Sequence, residues 1–168
     1  FRILDAAGID RKDLKQERLG AAESVNALKD KKIDAFFWSG GVPTAAVTDL
    51  AATPGLKIKL IDHDELVDAM NKQHGPLYVK AVIPANSYPG QDKPNAEVDV
   101  WNILIASDKM REQMAYNMVK RLFEKKPELV AVHAEAKNID LKNQATGSPI
   151  PFHPGAKKYL AEQGIKVN

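Results

Sequence analysis

Trp38-Ser39-Gly40-Gly41-Val42-Pro43-Thr44 is the stretch whose residue types and order could do chemistry. No side chain from Ala35 to Thr48 is ionisable in the ordinary range, so a ligand held here would meet neutral groups. Two glycines let the backbone come close to a bound molecule. Ser39 offers a hydroxyl and Trp38 a flat apolar face. A helix opening at Pro43 would turn its free N–H groups towards the same gap, which favours a carboxylate or another small anion. The candidate ligand-binding residues are therefore Trp38, Ser39, Gly40, Gly41, Pro43 and Thr44. As a plain strand-to-helix turn, the same stretch would need its glycines for backbone conformation alone.

Catalysis fits these residues less well. Trp38-Ser39-Gly40-Gly41 is not the Gly-x-Ser-x-Gly of a nucleophile elbow, and no histidine stands beside it. Gly40-Gly41 lacks both the lysine of a phosphate loop and the third glycine of the dinucleotide fingerprint. The absence of cysteine excludes a thiol nucleophile, a thiolate metal site and a disulfide. His63 lies in Asp62-His63-Asp64-Glu65, but acids at a helix start serve capping by Asp62 or Asp64, and no second histidine has ligand spacing. His153, between Phe152 and Pro154, suits a structural role with a bond to backbone. The expectation is a binding protein and not an enzyme, with no cofactor and no metal.

The elements that must position the candidate residues follow from periodicity. Ile33–Trp38 is almost wholly apolar, as expected for a strand covered on both faces in a parallel sheet. Pro43 to about Ala52 is a helix with proline at its first position, ended by Thr53-Pro54-Gly55. Before them, Phe1–Ala7 reads as the end of a helix with Gly8 at C′, which leads to the expectation that further strands precede it in a longer chain. Leu14–Leu19 is a weak strand candidate, and Ala21–Lys31 an amphipathic helix. After them come strands at Leu56–Ile61, Leu77–Ile83 and Val98–Ala106, with a short helix at Asp64–Gln73. Lys109–Lys125 is a long helix whose Met110, Met114, Met118 and Leu122 point to a core, followed by short helices at Pro127–Ala136 and Ala156–Gln163. Alternating strands and helices indicate an α/β fold. Trp101, in an apolar strand, suits a core, and Tyr88 lies in a long loop where function concentrates.

Composition narrows the class. The 168 residues are 44% hydrophobic and 27% charged, as in globular proteins. A net charge of +2 with no dense basic tract gives no ground for nucleic acid as a partner. No apolar run is long enough to span a bilayer.

Asp34-Ala35-Phe36-Phe37-Trp38-Ser39-Gly40-Gly41-Val42-Pro43-Thr44, with Asp49-Leu50-Ala51, resembles the solute receptors of the TAXI class of TRAP transporters. Pro151-Phe152-His153-Pro154-Gly155-Ala156-Lys157-Lys158-Tyr159 is similar to that family's closing signature. Ile83-Pro84, Tyr88-Pro89-Gly90, Val98 and Val100-Trp101 lie where the family has them. The resemblance implies a type II periplasmic-binding-protein fold, two α/β lobes joined by crossover strands, closing on ligand like a hinge. It assigns 1–84 to the second lobe and 85–168 to the crossover strand and helices returning to the first. It also implies a periplasmic or extracytoplasmic protein that captures a small organic acid or amino acid, glutamate-like in some members, and hands it to membrane permease subunits. An effector-binding domain of a transcriptional regulator, with the same general fold, is the alternative.

Overall fold

The computed structural model describes residues 1–145 and 148–167. The chain forms two compact units, Phe1–Asp99 and Val100–Asn168.

The first unit begins with helix α1 (Arg2–Ala6), and Gly8 beyond its end adopts φ +73°. That left-handed turn ends the helix at little cost because glycine has no Cβ. The weak strand candidate at Leu14–Leu19 is not a strand; a 3₁₀ turn at Arg11–Asp13, capped by Asp10, precedes irregular chain. Helix α2 (Ala21–Lys29) packs against α3 (Ala45–Ala51), burying Val25 and Leu50, and Lys29 pairs with Asp49 at 2.6 Å. Helix α4 (Val67–His74) follows a 3₁₀ turn at Asp64–Leu66 and buries Val67 and Met70. Strands β1 (Tyr78–Ile83) and β2 (Asn95–Val100) pair in a two-stranded sheet.

Two further expected strands are absent. Ile33–Trp38 and Leu56–Ile61 run without regular structure, because a strand exists only where a neighbour accepts its ladder bonds, and neither has one among the described residues. Each still places apolar side chains inward. Phe36, Ile58 and Leu60 pack against a cluster of Val47, Ile83 and Tyr88, whereas Phe37 is 61% exposed. Ile33–Trp38 is therefore covered on one face, not two. The strand expected over Val98–Ala106 is shifted to Asn95–Val100, and Ile103, Leu104 and Ile105 are exposed.

Asp62 and His63 dock on β2. The Asp62 carboxylate accepts the Ala96 N–H at 2.9 Å and the Asn95 side-chain amide at 2.5 Å. The His63 N–H donates to the Ala96 carbonyl, and His63 Nδ1 accepts the Val98 N–H at 2.9 Å. Neither Asp62 nor Asp64 caps the following helix as the sequence suggests; His63 occupies that position without a side-chain bond. Asp62 serves instead as the partner of the buried Asn95, and Asp64 pairs with Lys80 of β1 at 3.5 Å. On the other strand, Asn71 of α4 bonds both the N–H and the carbonyl of Tyr78, each at 2.9 Å.

The second unit is a helix pair. Helix α5 (Glu112–Glu124) packs against α7 (Pro154–Glu162), with α6 (Lys126–Val132) and a 3₁₀ turn at Ala134–Asn138 between them in sequence. Ala115, Tyr159 and Leu160 are buried, Tyr159 stacks on Phe123 at 5.7 Å, and Tyr116 donates to Glu162 at 2.7 Å. The methionine stripe of α5 does not fill a core: Met114 is 51% exposed, and with Met118, Leu122, Leu104 and Leu129 it lines an open groove of about 840 Å³. The helix uses its Ala115 side for α7, so its other apolar stripe is left outward.

Candidate functional site

The turn singled out by the sequence is a hydrogen-bonded knot centred on Thr44. The Trp38 indole N–H donates to Thr44 Oγ1 at 3.1 Å, and Thr44 Oγ1 donates to the Gly41 carbonyl at 2.8 Å. The Thr44 backbone N–H donates to the phenolic oxygen of Tyr88 at 3.1 Å. A Cβ on Gly40 would stand 2.6 Å from Trp38 Nε1, so the indole lies directly over this residue and glycine leaves it room.

Thr44 is the N-cap of α3, with an extended backbone (φ −88°, ψ 125°). Its carbonyl accepts both the N–H and the hydroxyl of Thr48, at 3.0 and 3.2 Å. Pro43 is therefore not the first helical residue; it precedes the cap, joined to Val42 by a cis peptide bond. Helix α3 has only 7 residues, and the Thr44 N–H expected to face a ligand is already spent on Tyr88. The arrangement is thus less an anion-gathering helix end than a fixed aromatic platform. Trp38 keeps 49% of its surface open while its nitrogen is tied down.

Of the six sequence-derived residues, Trp38, Gly40, Gly41 and Thr44 are drawn into this one network. Ser39 and Pro43 flank it and are exposed. Tyr88 is the member that sequence spacing could not supply, since it joins Thr44 from 44 residues away. Its place in a long turn-rich loop was the only signal. The knot is neutral throughout, so a carboxylate here would find no formal counter-charge.

His63 and His153 bond to backbone groups, whereas the buried His74 Nε2 has no hydrogen-bond partner among the described residues. His63 Nδ1 is occupied by Val98, and His153 bonds backbone groups at both ring nitrogens, the structural role expected of it. Among the described residues no group of three or more His, Asp or Glu side chains is arranged to hold a metal.

The NMT1-like family matches residues 1–164, and the chain belongs to that family. It is a periplasmic-binding-protein-like family with a binding-protein type fold, and the mixed helices and small sheet are compatible with an α/β fold. Membership points to solute binding, with a small molecule as ligand. Such proteins are typically extracytoplasmic, and no helix among the described residues is long and apolar enough to cross a membrane.

Proposed function

We propose that the protein is a solute receptor of a TRAP-type transporter, of the TAXI class, and that Trp38–Thr44 forms part of its ligand site. The observation that carries this reading is family membership across residues 1–164. The half-open, hydrogen-bonded Trp38 platform supports the placement of the site. The ligand is a small carboxylate-bearing solute, glutamate-like ones among the candidates. Its apolar part stacks on Trp38 while Ser39 and nearby backbone groups meet its oxygens. Residues 1–84 contribute to one α/β lobe, and residues 85–168 supply the crossover strand and the helices of the other. Capture is reversible: closure of the lobes holds the solute by non-covalent contacts, with no cofactor or turnover, until permease subunits receive it outside the cytoplasm.

The test is a thermal-shift screen of the full-length protein against small carboxylic and amino acids, with the matching amides as controls. A true ligand at about a hundred times its Kd stabilises the folded state by about 2.7 kcal/mol. A rise in Tm with the acid and none with its amide supports the reading. A panel in which acids and amides behave alike contradicts it.

A further inference from the structure

Tyr88 has a hydroxyl that packing does not require. The residue is 5% exposed and sits with Val47 and Ile83 in the apolar cluster, where a phenylalanine would fill nearly the same space. A buried phenol needs a hydrogen-bond partner, and here the partner is the Thr44 N–H at 3.1 Å. That amide heads the helix and has no intrahelical acceptor of its own.

The bond matters because of what hangs on Thr44. Its side-chain oxygen is the acceptor for the Trp38 indole and the donor to Gly41. Fixing the Thr44 backbone therefore fixes the oxygen that orients the indole. The support on the Tyr88 side is itself braced. Asn86 N–H donates to the Gln91 carbonyl at 2.7 Å, Ser87 Oγ to the Pro84 carbonyl at 2.7 Å, and the Gln91 side-chain amide to the Lys93 carbonyl at 3.0 Å. Asn86 and Gly90 take left-handed backbone angles of +64° and +76° to close this loop.

We propose that Tyr88 is the positioning residue of the solute site. Its hydroxyl holds Thr44, Thr44 holds Trp38, and the aromatic face is ordered before a ligand arrives. Ordering a side chain in advance removes that cost from binding. The inference rests on Trp38 being ligand-facing, and it adds a residue 44 positions away that acts without touching the ligand.

Solvent exchange of the Trp38 indole N–H in the full-length, ¹⁵N-labelled protein tests it, with the resonance assigned by its loss in Trp38→Phe. Tyr88→Phe keeps the ring and should speed that exchange by at least about fivefold, as expected for a local opening. Thr44→Ala, which removes the acceptor itself, should speed it at least as much. In the unsubstituted protein the Thr44 amide should be slow to exchange, a measurement that needs no variant. Unchanged Trp38 exchange in Tyr88→Phe, or a freely exchanging Thr44 amide, would overturn the role of Tyr88. A separate failure, unchanged solute affinity in Trp38→Ala, would instead remove the ligand role from the loop.

Discussion

His153 ties the start of α7 to the Met110 carbonyl, and the tie fixes its tautomer. Nδ1 accepts the Gly155 N–H at 3.2 Å, so the ring proton is on Nε2, which donates to the Met110 carbonyl at 3.0 Å. One side chain thus caps a helix and anchors the turn ahead of α5.

Replacing His153 with alanine removes both bonds. The loss should be about 1–2 kcal/mol, the range of a missing N-cap. His153→Asn keeps a capping oxygen but does not reach Met110, so it should cost less, about 1 kcal/mol. Urea unfolding of the two variants checks the order; equal losses would mean that the cap on the Gly155 N–H contributes nothing.

Gly155 is the contact point between α7 and α5. A Cβ there would stand 2.1 Å from the Glu112 carbonyl oxygen and 2.7 Å from the Tyr116 nitrogen, both backbone atoms that cannot swing aside. Gly155→Ala should destabilise the second unit by about 1–3 kcal/mol or more, as overpacking does. Its thermal midpoint should fall, and an unchanged midpoint would contradict the close approach of the two helices.

Asp62 makes the first unit acid-sensitive. The Ala96 amide above all, and then the Asn95 side chain, hold its carboxyl below the ordinary value of 3.8. A depressed folded-state value means that the contribution is complete above the unfolded-state value and is lost as pH falls through the folded one. Stability should therefore decline below about pH 4. Asp62→Asn should be less stable at neutral pH and show a shallower acid decline. Unfolding curves collected from about pH 6 to about pH 2 test this, and parallel acid profiles for the two proteins would contradict it.

The helices were legible in the sequence because their signals are local. Gly8 ends α1 and His153-Pro154 opens α7 within a residue or two of the expected places. Strands were less legible, since Ile33–Trp38 has the composition of a strand but no ladder partner among the described residues. Periodicity likewise gave α5 an apolar stripe at Met114 and Met118 without saying whether anything covers it. At the site, composition pointed to Trp38–Thr44, but its organising bond reaches Tyr88 across the fold, and no spacing rule contains that distance.

The most direct test of the solute-receptor account is a native mass spectrum of the full-length protein purified without added ligand, set beside Trp38→Ala. The account predicts a small acidic adduct on the unsubstituted protein, released on denaturation, and its loss from the variant. The same adduct on both proteins, or on neither, would contradict the assignment of Trp38–Thr44 to the ligand site.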